Sequence, residues 1–329
     1  MQFVTKNSIN TYRYEPKMKV IYKNRKTNFL TPSGLKCLAG LPTVNISAGC
    51  AHKCVYCYTK GYSIYPGDEV VELYENMAER IESEICRKRQ KPQSVYFCPS
   101  CDPFQPVEQV QQISFDVMKM LLSKGIGIQF VTKGKIAEQT MHLFQQNSSL
   151  ISGQIGITTV DDTIRQTVEP YTATVEEKLT QLKQLISYNI KMSVRCDPLF
   201  HGIMDSKPQL DNLCKAINNA GCKELAISFL FLRPAITKSL KQNITDKRLL
   251  QRILQAYSNS VQLPIGIRNS VGNMLPTETR KGILERIEQI AGKYNIKIHT
   301  CGCKNSDITN DTCYLTRPIQ DNNLLFYTD

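Results

Sequence analysis

The sequence lacks any apolar stretch that could cross a membrane. An uninterrupted run such as "FLFL" (Phe229 to Leu232) falls far short of the roughly 20 residues a spanning helix requires, so no membrane partner is expected. The first residues, "MQFVTKNSINTYRYEPK", contain no apolar core of the signal-peptide kind, and no secretory leader is expected either. No low-complexity tract interrupts a composition that is 41% hydrophobic and 21% charged, which is ordinary for a globular chain. Acids are scarce at the start: residues 1–40 hold Glu15 alone against eight Lys/Arg. Glycine (17) and proline (15) are unremarkable in number, so their positions carry the information. Cysteine is not scarce. Thirteen cysteines in 329 residues, without a leader, point to a reducing cytoplasm in which thiols serve metals or catalysis more often than disulfides.

The charge is uneven. Net +12 overall, the chain carries +7 of this in residues 1–40, on Lys6, Arg13, Lys17, Lys19, Lys23, Arg25, Lys26 and Lys36. Tyr12, Tyr14 and Tyr22 lie among those charges. Phosphate attraction combined with aromatic stacking is a physical basis for nucleic-acid contact. A solvated basic arm packed on the domain is the alternative.

From residue 43 the chain alternates short β-like runs with amphipathic helices. Strands are expected at 43–47, 94–98, 126–132, 152–158, 190–196 and 224–231, several of them continuously apolar as buried parallel strands are. Helices are expected between them. One repeats Val107, Val110, Ile113, Val117 and Leu121; another starts at the candidate N-cap Thr174 and aligns Val175, Leu179, Leu182 and Ile186; a third uses Leu210, Leu213, Cys214 and Ile217. Six βα units imply an α/β fold with a parallel sheet, doubly wound or curled into a barrel. The pattern loosens after Arg233, where two helical stretches (about 245–258 and 277–294) precede a short strand "IKIHT" and a cysteine-bearing tail. This divides the chain into a basic arm (1–40), a core (41–233) and a C-terminal extension (234–329).

"AGCAHKCVYCY" places Cys50, Cys54 and Cys57 in a C-x3-C-x2-C array after the first expected strand. Structural zinc calls for four ligands and disulfides call for pairs. Three thiolates can instead hold three corners of a [4Fe–4S] cluster and leave one iron open. A zinc site with a remote fourth ligand and a simple electron-transfer cluster are the alternatives. The array, with an aromatic just before its last cysteine, resembles the radical S-adenosylmethionine superfamily. Within it, "NISAGCAHKCVYCYTKGY", "DPFQPVE" (102–108), "FVTKGK" (130–135) and the segment from Glu169 to Asp205 resemble the spore photoproduct lyase-like branch, over about residues 40–232.

The resemblance implies a partial (βα)6 TIM-type barrel. It also implies an open iron that binds the amino and carboxylate groups of S-adenosylmethionine, one-electron cleavage to a 5′-deoxyadenosyl radical, and hydrogen abstraction from a substrate. A reductant such as flavodoxin or ferredoxin is the implied partner. By the same resemblance Tyr56 is expected near adenine, Lys133 near the methionine carboxylate, and Thr158 and Arg195 near ribose or carboxylate. Each of these also reads as an ordinary strand-end polar residue. The superfamily's glycine-glycine-glutamate segment is missing; "CPSCDP" stands there, with Ser100 and Asp102 the nearest candidates for the methionine amino group. Cys98, Cys101, Tyr56 and Tyr58 occupy places comparable to the lyase's hydrogen-relay residues, and Cys101 is the preferred hydrogen donor.

The tail adds Cys301, Cys303 and Cys313 in a C-x-C-x9-C array. An auxiliary [4Fe–4S] cluster is the expectation, and zinc with His299 as fourth ligand is the alternative; Cys37 is a candidate distant ligand. The lyase-like branch offers no counterpart to this array. Three functions follow: a radical enzyme acting on a nucleic acid or nucleotide; a radical enzyme modifying a small molecule or peptide, sulfur insertion included; or a non-enzymatic iron–sulfur binding module.

Overall fold

Several of the expected β-like runs become strands in which every residue is buried, Ser94–Phe97 and Ile151–Gly156 among them, as a parallel sheet covered on both faces requires. In the computed structural model, which describes residues 17–33, 35–38, 40–265 and 270–313, seven parallel strands form the central sheet. They are β1 (Pro42–Val44), β2 (Ser94–Phe97), β3 (Gly127–Thr132), β4 (Ile151–Gly156), β5 (Lys191–Leu199), β6 (Glu224–Phe229) and β7 (Lys297–Thr300). Their order across the sheet is their order in the chain, and each neighbouring pair is parallel. Thr31–Pro32 adds an antiparallel edge to β1. Among the described residues β1 and β7 do not pair, so the barrel is partial and its sheet is open. No described helix is long and apolar enough to cross a membrane.

Nine described helices connect these strands or flank them: α1 (Met77–Cys86), α2 (Glu108–Ser123), α3 (Glu138–Gln146), α4 (Asp162–Val168), α5 (Val175–Ser187), α6 (Lys207–Asn219), α7 (Pro234–Asn243), α8 (Lys247–Gln255) and α9 (Thr277–Gly292). Helix α2 buries Val110, Val117 and Leu121, the face its spacing predicts. Helix α5 begins with a complete capping box: Thr174 accepts from the Glu177 amide, and Glu177 accepts from the Thr174 amide. Such a cap contributes about 1 kcal/mol. Under the sheet, Phe104, Phe130 and Phe144 meet with ring centroids 5.4–6.2 Å apart.

Two expectations change in detail. The first strand, expected at 43–47, ends at Val44, and Ser47–Ala48 turns away to pair antiparallel with Val70–Tyr74. Between them Asn45 turns its side chain to accept from the Ser100 amide at 2.9 Å, which ties the break in β1 to the loop after β2. Beyond Arg233, helix α7 starts at once with a proline at its N-terminus, a position proline favours, and α9 leads into β7. The tail therefore supplies a seventh parallel strand, with Glu224 to Ile227 registered on Lys297 to Thr300.

Of the basic arm, residues 1–16, with Lys6, Arg13, Tyr12 and Tyr14, lie outside the described residues. Lys19–Lys23 forms a strand parallel to Val70–Tyr74. Arg25 stacks on Phe29 and Tyr74, with centroid distances of 5.0 and 5.7 Å, and Lys23 pairs with Glu72 at 2.5 Å. This part of the arm is packed on the domain, while Tyr22 remains 52% exposed.

Candidate active site

The loop carrying Cys50, Cys54 and Cys57 follows β1, at the end of a parallel barrel where such folds place their chemistry. All three thiols are free and partly buried. Burial, followed by the Asp102 charge, pushes the Cys50 thiol well up. Burial also raises Cys54, with Glu169 adding to the rise. A bound cation would remove that penalty, because thiolates become its ligands.

The "DPFQP" turn after β2 holds this loop. Gln105, fully buried, accepts from the Ala51 amide at 2.8 Å and donates to Ser47 Oγ at 3.1 Å. Asp102 spends both oxygens on the scaffold: Oδ1 accepts from Thr132 Oγ1 (2.7 Å) and the Phe104 amide (2.9 Å), and Oδ2 from the Lys133 amide (2.8 Å). His52 Nδ1 donates to the Tyr171 carbonyl at 3.0 Å. Its Nε2 stands 3.1 Å from Asp102 Oδ2, at ion-pair distance but off-line for a hydrogen bond. Burial pushes the Asp102 carboxyl up, yet the His52 charge and these hydrogen bonds outweigh it and hold the group below the usual carboxylate range.

Above the loop lies a charged network centred on Glu169 and Lys178, two residues that the sequence reading did not single out. Glu169, fully buried, takes Lys133 Nζ at 3.1 Å and Thr158 Oγ1 at 3.1 Å on Oε1, with the Tyr56 hydroxyl on the same oxygen. Its Oε2 takes Lys178 Nζ at 3.0 Å. Burial raises the Glu169 carboxyl, but the two ammonium groups overcome this and hold it far below the ordinary range. Burial lowers Lys178. Burial opposes the charge on Lys133 too, but the negative groups around it leave it raised. Two ammonium groups against one carboxylate give the network a net positive charge, although at Cys54 the Glu169 carboxylate raises the thiol more than either ammonium lowers it. The stem of Lys133 crosses Gly156 so closely that a Cβ there would lie 2.6 Å from Lys133 Cγ.

Tyr56, Lys133 and Thr158 are therefore brought together. Tyr56 also packs edge-on against Phe200, and Lys133 Nζ lies 5.8 Å from the Tyr56 ring centroid. Tyr58 donates to the Pro99 carbonyl and packs edge-on against Tyr62 at 5.8 Å. Cys98 is buried in the left-handed region at φ 57, and Cys101 lies beside Asn45 Oδ1 at 3.8 Å. The Ser100 amide, on Asn45, joins the same turn. Arg195 turns elsewhere, to Asp197 Oδ2 (2.6 Å), Gln154 Oε1 (3.4 Å) and Cys313.

The tail cysteines sit beyond Arg195. Cys301 and Cys313 are buried with Sγ atoms 3.6 Å apart, and Cys303 packs against them. Cys37, from the turn Lys36–Leu38, packs against the same pair. His299, the alternative zinc ligand, pairs through Nε2 with Glu224. Among the described residues no group of three or more His, Cys, Asp or Glu stands ready-arranged to hold a metal ion.

In fold, this parallel partial barrel resembles solved radical S-adenosylmethionine enzymes, spore photoproduct lyase among them. No family model matches the chain. It is similar to a spore photoproduct lyase variant solved with S-adenosylmethionine and a dinucleoside spore photoproduct bound, with a TM-score of 0.68, 11% identity, and coverage of 85% of this chain and 81% of the other. In sequence it is 23% identical over 272 residues to an uncharacterized protein of Mycobacterium tuberculosis, covering 78% of this chain and 76% of that one. It is 21% identical over 203 residues to the radical SAM Nalpha-GlyT isomerase of Pseudomonas phage M6, covering 60% of this chain and 42% of that protein.

Proposed function

We propose that the chain is a radical S-adenosylmethionine enzyme acting on a nucleic acid or nucleotide, with residues 41–233 as its core. The observation that carries the first half is the three-thiol loop backed by the Lys133–Glu169–Lys178 network. Three thiols with no fourth in their loop fit a four-iron cluster with one open corner, and the surplus ammonium charge fits the anionic cluster and the methionine carboxylate. When bound, the cluster and S-adenosylmethionine supply the electron and the 5′-deoxyadenosyl group for hydrogen abstraction.

The chain's own residues bind and orient. Cys50, Cys54 and Cys57 hold the cluster, and Gln105 fixes their loop. Lys133, held in place by Glu169, meets the methionine carboxylate. Tyr56 and Thr158, on the same carboxylate oxygen, define the wall for the adenosyl part. Asp102 shapes the turn, and Ser100 and the Cys98–Cys101 thiols line the approach, Cys101 being the hydrogen donor. Tyr58 fixes that turn through Pro99. A flavodoxin or ferredoxin is the reductant this reading needs, and a cytoplasmic setting is its natural one. A second four-iron cluster is left out of this reading, because the tail thiols stand too close together for its corners.

The substrate class rests on charge. An open cavity of about 450 Å³ is lined by Arg233, Lys238, Lys241, Thr237, Gln242 and Asn273 with no acid among them. Its helix α7 packs on the turn that follows Cys57, where a Cβ on Gly61 would lie 3.4 Å from Ala235. A cationic cavity beside the cluster loop suits a phosphodiester. Spore photoproduct lyase, solved with a dinucleoside spore photoproduct bound, agrees with it.

The test is fluorescence anisotropy with single- and double-stranded oligonucleotides over a salt series. Wild-type protein is expected to bind with a steep salt slope, and the triple change Arg233→Ala, Lys238→Ala, Lys241→Ala to lose about three units of that slope. No binding at low salt would leave a small molecule or peptide as the substrate. Oligonucleotide binding without any cleavage of S-adenosylmethionine would make the chain a binding module.

A further inference from the structure

Cys37 and the tail cysteines come from opposite ends of the fold. Cys37 precedes β1 at one side of the open sheet, and Cys301 follows β7 at the other. Cys301 and Cys313 are buried side by side, and Cys37 and Cys303 pack against them, so that four thiols meet in one place. The Cys301–Cys313 separation of 3.6 Å matches the edge of a zinc tetrathiolate, which is about 3.8 Å for Zn–S bonds of ~2.3 Å. Thiolates of a cubane sit on separate irons at its corners and stand much farther apart.

We propose that Cys37, Cys301, Cys303 and Cys313 form a tetrahedral zinc site that staples the two sides of the open barrel together from within. This goes beyond the proposed activity, which uses none of the four.

The surroundings are built for such an ion. Ala226 of β6 packs under the thiols, leaving them room. Gln154 of β4 donates to the Cys313 carbonyl at 2.9 Å, and the Cys301 amide donates to Ile227 at 3.1 Å. Four thiolates on a divalent ion leave a charge of about −2, and the Arg195 guanidinium, hydrogen-bonded to Cys313, lies against it. The loop holds its own shape. Gly302 donates to the Asp311 carbonyl at 3.0 Å, and a Cβ on it would lie 2.6 Å from that oxygen, so the close approach requires glycine. The fully buried Arg280 binds Asn305 Oδ1 at 3.0 Å and Asp307 Oδ1 at 3.0 Å. An ion held by thiolates from both sides gives the open sheet the closure that strand pairing does not supply.

The test is metal analysis of full-length protein, anaerobically loaded with iron and sulfide and desalted, in variants that separate the two sites. Wild-type protein is expected to carry about one zinc besides about four irons. Cys37→Ala and Cys313→Ala are each expected to lower zinc at least tenfold and leave iron unchanged; His299→Ala and Cys86→Ala are expected to keep both. Because a variant can fail to fold, wild-type protein is also loaded with cobalt, and the intense visible bands of a tetrahedral tetrathiolate are expected. About eight irons with no zinc, zinc retained by Cys37→Ala, or cobalt bands of octahedral weakness would each overturn the site. S-adenosylmethionine cleavage reads the other three cysteines, so its failure is separate.

Discussion

The two cysteine groups of this chain are opposites in construction. Cys50, Cys54 and Cys57 come from one loop, and beside Cys54 two cations, Lys133 and Lys178, share a single carboxylate. Cys37, Cys301, Cys303 and Cys313 come from both sides of the sheet and satisfy one another, with Arg195 as their counter-charge. A set of three leaves a coordination position for chemistry, and a set of four closes it. The same residue type thus serves a reactive centre and a fastening within one fold.

The sharpest break between the groups is Cys54→Ala. It is expected to bring iron from about four per chain to near zero and 5′-deoxyadenosine formation below about a hundredth of wild type, a loss of more than ~2.7 kcal/mol in transition-state terms, while zinc stays. Parallel iron and zinc analysis with product chromatography checks this.

Next comes the carboxylate between the two lysines. Glu169→Gln leaves two buried ammonium groups without their anion, and breaking a buried pair in this way costs about 3–5 kcal/mol. Urea unfolding of the apo-protein is the measurement. A loss under about 1 kcal/mol would mean that the network is not closed as described. Lys133→Ala should be milder for stability, because Glu169 keeps Lys178, Tyr56 and Thr158. It is expected to lower 5′-deoxyadenosine formation at subsaturating S-adenosylmethionine about tenfold or more, as the loss of one charged hydrogen bond of ~1.5–3 kcal/mol dictates.

The smallest effect is pH-dependent and belongs to the tail. Asp197 binds Lys304 Nζ at 2.6 and 2.8 Å and Arg195 at 2.6 Å. Burial pushes its carboxyl up, but Lys304 and Arg195 outweigh this and hold it down at about 2. A carboxylate depressed in the folded state stabilises the protein above its ordinary value of ~3.9, and the contribution fades as pH falls toward 2. Asp197→Asn is therefore expected to be on the order of 2 kcal/mol less stable than wild type at pH 7. That gap should close as acid unfolding curves are compared between pH 4 and 2. A gap independent of pH would show that packing, not charge, is what the substitution removes.

The legibility of these features follows how local they are. The three-thiol loop is contiguous, so its spacing alone points to an open-cornered cluster. The strands from β2 to β6 are apolar enough to be read almost residue by residue, and the Thr174 cap is visible because both its partners lie within four residues. Glu169 and Lys178 escaped because their partnership exists only across the fold. A signal was present: Lys178 shares the buried face of α5 with Leu182 and Leu185, an odd place for an ammonium group. The seventh strand was legible as a strand but not as a member of the sheet, since its pairing with β6 is fixed by the docking of α9 on α6. Cys37 could be named only as a distant candidate, because nothing in its own turn marks it; it meets the tail only where the two sides of the open sheet come together.

The most direct test of the account is the quantity of 5′-deoxyadenosine released when anaerobically reconstituted, chemically reduced wild-type protein is given S-adenosylmethionine. Release that requires the reductant, and that disappears in Cys54→Ala but persists in Cys313→Ala, is the predicted result. A fully iron-loaded protein that binds S-adenosylmethionine and releases none under strong reductant would contradict it.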